Sequence, residues 1–84
     1  MKYTVVWKQA AEDELAELWT EAADRNAVRQ AADRMEQLLA TQPLALGESR
    51  TGSMRIAFEA PLGMFFNVSK QDRIVSVVRV WRVD

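Results

Sequence analysis

Basic side chains in the C-terminal half of the chain are the groups with which this protein could contact a polyanion. Residues 50–84 contain six of them: Arg50, Arg55, Lys70, Arg73, Arg79 and Arg82. Three acids lie in the same segment, so its net charge is +3, whereas residues 1–49 carry a net charge of −4. A polyanion should therefore meet the C-terminal half. A net charge of +3 is nevertheless small for a dedicated nucleic-acid-binding protein.

The residue types that are missing exclude several kinds of catalysis. The chain has no histidine and no cysteine, which removes the commonest general acid–base group, a Ser-His-Asp triad, and metal sites built on imidazole or thiolate. Its three glycines lie in separate segments and do not form a phosphate-binding loop. The carboxylates show no convincing metal-ligand spacing. We therefore expect neither a metal nor a cofactor.

Length and composition indicate one small soluble domain. The 84 residues are too few for two domains, and 49% of them are hydrophobic, which is sufficient for a core. We therefore treat residues 1–84 as a single domain. The N-terminus lacks the apolar segment of a signal peptide, and no run approaches the roughly 20 apolar residues of a membrane span. We expect a cytoplasmic protein.

Apolar periodicity predicts a strand followed by a helical hairpin. Residues 2–7 are rich in β-branched and aromatic types, which favour a strand. After Ala10, apolar residues recur every three to four positions in two successive segments, with a break at residues 24–26. Asp24 or Asn26 is a candidate N-cap of the second helix. This helix should end near Thr41, because Pro43 disfavours helical geometry in the preceding residue.

The rest of the chain is predicted to form a loop and three strands. Residues 43–52 form the loop, and apolar and polar residues then alternate over 54–59 and 64–69, with turns predicted at 60–63 and 70–73. Residues 74–83 form the longest and most apolar strand, which should lie inside the sheet. The predicted fold is α+β, in the order β-α-α-β-β-β, with the helical hairpin packed on one face of a small, mostly antiparallel sheet.

The alternation also predicts which strand residues face the helices. The face covered by the helices should carry Met54, Ile56, Phe58, Met64, Phe66, Val68, Ile74, Val78 and Val80. The uncovered face should carry Arg55, Ala57, Glu59, Phe65, Asn67, Ser69, Val77, Arg79 and Trp81. A slip of one residue in a strand would exchange its two sets of side chains.

Several segments resemble the RelE/ParE superfamily of bacterial toxins. The aromatic-bearing strand at residues 3–7 (YTVVW), followed by Ala10, Ala11 and residues 12–15 (EDEL), is similar to the opening of that family. Residues 38–47 (LLATQPLALG) resemble its helix end and following loop. Residues 54–56 (MRI), 63–68 (GMFFNV) and 74–82 (IVSVVRVWR) resemble its final strands. The resemblance covers nearly the whole chain.

The resemblance implies a toxin of a type II toxin–antitoxin system. Such toxins are small cytoplasmic proteins that are held inactive by a cognate antitoxin encoded beside them, and they are associated with growth inhibition and plasmid stabilisation. An oligomer could form through the antitoxin complex. The RelE branch cuts messenger RNA in the ribosomal A site, and the ParE branch poisons DNA gyrase. The fold itself does not choose between these targets.

The RelE branch uses arginine and lysine to orient the phosphate and to stabilise transition-state charge without a metal. On that branch the resemblance implies Arg55, Arg79 and Arg82 as catalytic residues of an mRNA endonuclease. That branch also has an arginine at the start of the third strand, where this chain has Gly63-Met64, and a basic residue where this chain has Ala57. Its C-terminal tyrosine or histidine is missing from residues 81–84. The sequence therefore resembles the ParE branch more closely, and whether the protein is an enzyme is left open.

Candidate antitoxin- or target-binding residues are Phe65, Asn67, Trp81 and Arg50. On the uncovered face, Phe65 and Trp81 could stack on bases or form the apolar patch that an antitoxin covers. The antitoxin should lay a helix or a strand across this face and the sheet edge. Arg55 and Arg82 could equally be ordinary surface charges. Two further hypotheses stay open: a non-toxic relative that keeps the partner site, and an unrelated small protein-interaction domain.

Overall fold

The computed structural model describes residues 2–49 and 54–83. The elements in chain order are β1 (Thr4–Trp7), α1 (Gln9–Glu21), α2 (Arg25–Thr41), β2 (Glu48–Ser49), β3 (Met54–Glu59), β4 (Leu62–Ser69) and β5 (Ile74–Arg82). The strands form one sheet in the order β1-β5-β4-β3-β2. The β1–β5 pair is parallel, and the pairs β5–β4, β4–β3 and β3–β2 are antiparallel. The α+β prediction is confirmed, as is the internal position of the last strand; β2 is an addition, formed inside the predicted loop.

The helical hairpin ends where its sequence dictates. Because α1 has no glycine or proline after it, its last carbonyls are satisfied by a side chain: Arg25 donates to the carbonyl oxygens of Trp19 at 3.0 Å and Thr20 at 2.8 Å. The second helix stops at Thr41, as Pro43 predicts. There the N–H of Gln42 donates to the carbonyl oxygen of Leu38 at 2.7 Å.

The core lies between the hairpin and one face of the sheet. Its buried hydrophobic residues are Ala11, Val28, Ala31, Ala32, Met35, Leu39, Ala57, Leu62, Met64, Phe66, Val75, Val77 and Val80. Small residues at Ala31 and Ala32 allow α2 to lie close to the sheet, while the bulk comes from Met35 and Phe66, both fully buried. No side chain with a polar or charged group is buried among the described residues.

The predicted faces are right for β4, wrong for β3 and partly wrong for β5. On β3, Ala57 is buried at 2% exposure and Phe58 is 57% exposed, so the two faces of this strand are exchanged. Among the residues of β3, Met54–Glu59, Ala57 is the one that is buried. Its neighbours Arg55 and Glu59 lie on the same face, so Met54, Ile56 and Phe58 lie on the uncovered face.

A β-bulge accounts for the error on β5. Phe65 pairs with Arg79 and Phe66 with Val77, so Val78 is an extra residue and the alternation changes phase there. Before the bulge Val77 is buried, contrary to the prediction, and Val78 is not; after it Val80 is buried, as predicted. By the same pairing Ile74 lies with Ser69 on the uncovered face, which also contradicts the prediction.

The loop between α2 and β3 depends on a glycine. Gly47 has a φ of +71°, and a Cβ there would overlap the carbonyl oxygen of Ile56. Replacing Gly47 with alanine should therefore lower the free energy of unfolding by more than about 2 kcal/mol, since left-handed backbone alone costs a residue with a Cβ about 1–2 kcal/mol. Urea unfolding followed by circular dichroism measures the change. The exposed Ala45, replaced by serine, is the control; equal stability of both variants would contradict the prediction.

Candidate functional site

Three aromatic side chains form a cluster on the uncovered face of the sheet. The Trp81 ring lies 5.0 Å from the Phe65 ring, in a tilted arrangement, and 6.2 Å from the Phe58 ring, edge to face. Such geometries stabilise aromatic pairs by about 0.5–1.5 kcal/mol beyond their area burial. We call Phe58, Phe65 and Trp81 the aromatic cluster. It presents a preorganised apolar surface, because each ring is held by a neighbour.

Gly63 provides the space for this cluster. It pairs with Phe58 on one side and Trp81 on the other, so both rings lean over a position without a side chain. A Cβ on Gly63 would lie 2.8 Å from two atoms of the Trp81 indole and 3.0 Å from Phe58. Phe58 was not among the binding residues predicted from the sequence. The signal was the two-residue turn at Ala60 and Pro61, since it pairs Glu59 with Leu62 and therefore Phe58 with Gly63.

The other two predicted binding residues are Asn67 and Arg50. Asn67 pairs with Met54 on one side and Ser76 on the other, on the same uncovered face as Phe65. It is half-buried. Arg50 lies outside the described residues. The structure thus brings Phe65 and Trp81 into contact and places Asn67 two positions along β4 from Phe65.

Arg79 is bound by a carboxylate of α1. Its Nε lies 2.9 Å from Oε2 of Glu14, whose other oxygen accepts the N–H of Val80 at 3.0 Å. This contact forms where the pairing of β1 with β5 ends, at Val77. Glu14 thus accepts a main-chain donor of β5 that β1 no longer reaches. Partial burial disfavours the charged carboxylate, but the hydrogen bonds from Val80 and Arg79 outweigh it and lower the pKa of Glu14.

Arg82 is bound at the junction of the two helices. Its two terminal nitrogens lie 2.9 and 2.8 Å from the two carboxylate oxygens of Asp24, a bidentate pair. Asp24 occupies the N-cap position of α2, as predicted, but its side chain makes no capping hydrogen bond because it binds Arg82. The hydrogen bond from Arg82 lowers the pKa of Asp24. The pair ties the end of β5 to the helical hairpin.

Arg55 organises the loop before β2. Its guanidinium donates to the carbonyl oxygens of Leu46 at 3.2 Å, Leu44 at 3.2 Å and Gly47 at 3.3 Å. These are backbone acceptors in a segment without regular structure, which therefore needs side-chain donors. The contacts of Arg55 are those of a residue that fixes a loop.

The structure does not bring the three candidate catalytic arginines together. Arg79 lies on the uncovered face by its pairing with Phe65. Arg55 and Arg82 lie on the other face, paired with Phe66 and Leu62 of β4. These two partners are four positions apart, about 13 Å at 3.3 Å per residue. Each guanidinium is already bound within the chain, so in this arrangement no phosphate is surrounded by all three. Their assignment as catalytic residues stays a prediction.

Acid should weaken the two carboxylate contacts together. Folding lowers the pKa of Glu14 and of Asp24 from their ordinary values of 4.5 and 3.8. Both carboxylates therefore stabilise the folded chain at a pH above those ordinary values, and this stabilisation is lost as the pH falls through the lower pKa values of the folded state. We expect the free energy of unfolding to decrease from about pH 4.5 downward. Urea unfolding between pH 2 and 7 measures this. The double variant Glu14→Gln/Asp24→Asn should flatten the profile; an unchanged slope would contradict the prediction.

Neither a metal site nor a membrane span is evident in the part of the chain that the structure describes. Within residues 2–49 and 54–83, no group of three or more ligating side chains is placed to hold a metal ion. No helix in the same ranges is both long and apolar enough to cross a membrane.

Comparison with known proteins gives a family match. A family model described as "ParE toxin of type II toxin-antitoxin system, parDE" matches residues 5–84. A search of curated proteins finds no match.

Solved structures share the fold. A chain of the toxin–antitoxin complex RelBE2 from Mycobacterium tuberculosis superposes with a TM-score of 0.81 at 18% identity, over 98% of this chain and 99% of that one. A chain of the chromosomal ParDE system from P. aeruginosa gives 0.75 at 15% identity, over 99% and 98%. A chain of the intact E. coli RelBE complex gives 0.66 at 13% identity, over 98% of each. At these identities the structural similarity establishes the fold.

Proposed function

Because the chain belongs to the family of ParE toxins of type II toxin–antitoxin systems, we propose that it inhibits growth by binding DNA gyrase. We further propose that it acts in the cytoplasm and is neutralised by a cognate antitoxin. Solved structures of the same fold include toxin–antitoxin complexes, which supports an antitoxin partner.

The observation that carries the proposal is the contrast between the aromatic cluster and the arginines. Trp81, Phe65 and the 57%-exposed Phe58 form a rigid apolar surface on the face of the sheet opposite the helical hairpin. Aromatic residues in such preformed patches dominate binding energy at protein interfaces. The candidate catalytic arginines instead bind Glu14, Asp24 and three loop carbonyls. This arrangement favours binding of a macromolecule over phosphodiester cleavage.

Two assays test the proposal. The chain is expressed alone in bacteria and again together with the adjacent reading frame, and the purified chain is added to a DNA supercoiling reaction with gyrase. We expect growth arrest with filamentation and DNA damage, relief by the neighbour, and inhibition of supercoiling. Normal growth with abundant folded protein would contradict the proposal.

A second outcome would identify the RelE-type activity instead. Rapid arrest of translation with cleavage of messenger RNA would overturn the gyrase proposal. In that case Arg55→Ala and Arg82→Ala should each abolish toxicity. Both variants need a folding control by circular dichroism, because each removes contacts that hold a loop or the hairpin junction.

A further inference from the structure

The uncovered face of the sheet carries large apolar side chains around the aromatic cluster. They are Met54, Ile56, Phe58, Phe65 and Trp81. Farther along β4 and β5 the face becomes polar, at Asn67 and its pairing partner Ser76. Phe58 is 57% exposed, and contiguous apolar surface of this kind marks an interaction site.

Among the described strand residues, two charged side chains lie on this face, at its two sides. Both belong to one row across the sheet, in which Glu48 pairs with Ile56, Ile56 with Phe65, and Phe65 with Arg79. The row spans three strand spacings, so the opposite charges are about 14 Å apart. Glu48 is exposed, and the Arg79 side chain is 60% exposed although it contacts Glu14. An arginine has several N–H donors, so this contact leaves Arg79 able to bind a second carboxylate.

This row is complementary to a reversed copy of itself. A two-fold axis parallel to the strands, between β3 and β4, places Glu48 opposite Arg79 of a second copy and Arg79 opposite its Glu48. The same axis places Ile56 opposite Phe65 of the second copy. An axis across the strands would place each charge opposite its own equivalent, and this repulsion disfavours it. The charges therefore select one of the two symmetric arrangements.

The selected arrangement also matches the other rows of the face. Rotation about an axis parallel to the strands keeps every residue at its level along the strand. The aromatic cluster therefore meets the aromatic cluster of the second copy, and the polar row of Asn67 and Ser76 meets the same polar row. The strands of the two sheets are nearly aligned, within about 30°, which is a common geometry for sheets packed face to face.

The area of the face sets the strength of this contact. At about 4.8 Å between strands and about 3.3 Å per residue, the five strands cover about 450 Å² of sheet. Stable complexes bury about 800 Å² per partner, and transient ones bury less than about 600 Å². A contact of this size therefore corresponds to a dissociation constant between about 1 µM and about 1 mM.

We infer that the chain forms a weak, reversible homodimer through the uncovered face, with Glu48 of each copy opposite Arg79 of the other. The dimer hides the aromatic cluster. Its consequence for activity rests on the proposed function: a second copy and the target compete for the same surface, so the monomer is the form that binds gyrase.

Sedimentation equilibrium of the purified chain, from about 1 µM to about 1 mM, measures the dimer. Glu48→Lys places a positive charge opposite Arg79 of the second copy and should weaken the dimer about tenfold or more. Glu17→Lys makes the same charge change on an exposed position of α1 and should leave the dissociation constant within about threefold. A chain that stays monomeric throughout, or equal effects of the two variants, would overturn the inference.

Phe58→Ala keeps the test independent of the short strand β2. It removes the exposed ring of the cluster and should also weaken the dimer about tenfold or more, with native circular dichroism. An unchanged dissociation constant in a folded Phe58→Ala chain would place the contact on another surface and overturn the inference.

Cross-linking tests which faces meet. The chain has no cysteine, so a single introduced one is the only thiol. Because the axis runs beside β4, the two copies of residue 67 come close together, and Asn67→Cys should cross-link with a short bifunctional maleimide. Glu17→Cys, on α1 and therefore on the opposite side of the sheet, should not. Cross-linking through Glu17→Cys but not through Asn67→Cys would contradict the face-to-face arrangement.

The supercoiling reaction tests the competition. Inhibition of gyrase per chain should fall as the total concentration rises through the dissociation constant, and Glu48→Lys should shift that fall to a concentration about tenfold higher or more. A dimer that forms as described without any inhibition of gyrase contradicts only the proposed function. Inhibition by a chain that stays monomeric up to about 1 mM overturns only the homodimer.

Discussion

Replacing Trp81 with alanine should abolish growth inhibition while the chain stays folded. The indole is the central member of the aromatic cluster, in contact with both Phe58 and Phe65, so its loss separates the other two rings. Central aromatic residues of an interface contribute about 2 kcal/mol or more on truncation, which is at least about 30-fold in affinity. Induced expression followed by colony counts measures toxicity, and supercoiling by gyrase measures target binding.

The control for Trp81 is a second exposed tryptophan. Trp19 lies on α1, far from Trp81 in the sequence and on a different element. It is 44% exposed, and its ring lies 4.9 Å from the Arg25 guanidinium. Trp19→Ala should keep its toxicity. Gly63→Ala offers an independent disturbance of the cluster, because its Cβ would displace the indole without removing it. Undiminished toxicity of Trp81→Ala, with native circular dichroism, would remove the aromatic cluster from the proposed function.

Replacing Phe66 with alanine should have the largest effect on stability. Phe66 is fully buried in β4, the central strand, and no other buried side chain of the described residues is larger. Truncation of a buried phenylalanine costs about 3–5 kcal/mol through lost transfer energy and the cavity left behind. A small domain has a total stability of about 5–15 kcal/mol, so most of it would be lost. Thermal and urea unfolding measure the change.

Phe58 provides a control of the same residue type. It lies on β3 next to β4 but is 57% exposed, and its main contact is the edge-to-face pair with Trp81. Phe58→Ala should therefore cost only about 1 kcal/mol. Similar losses for the two variants would mean that the side of the sheet covered by the helices has been assigned wrongly.

The partners of the charged residues illustrate where sequence-based prediction stops. Glu14 and Arg79 are 65 residues apart in the chain, and Asp24 and Arg82 are 58 apart. Periodicity describes neighbours along an element and carries no information on such pairs. Asp24 or Asn26 was predicted to cap α2, which is a local role, and Asp24 lies at the N-cap position. Its side chain instead binds an arginine that the packing of the hairpin on the sheet brings within reach.

Which face of each strand the helices cover could not be predicted from the sequence either. Alternation divides a strand into two sets of side chains, but it does not say which set the helices cover. On β3 both sets contain apolar residues. The set with the larger apolar side chains, which includes Phe58, lies on the uncovered face. On β5 the bulge at Val78 changes the phase within one strand, and only the pairing with β4 reveals it.

By itself the sequence determined the order of the elements other than β2, the end of α2 before Pro43, the absence of histidine and cysteine chemistry, and the resemblance to a toxin family. These features depend on residue types and on spacing within a few positions, which the chain specifies directly. Tertiary structure alone decided which faces are covered, which partners hold the arginines, and that Phe58 joins Trp81 over Gly63. Those outcomes depend on contacts between elements, whose free energies are set by packing rather than by local pattern.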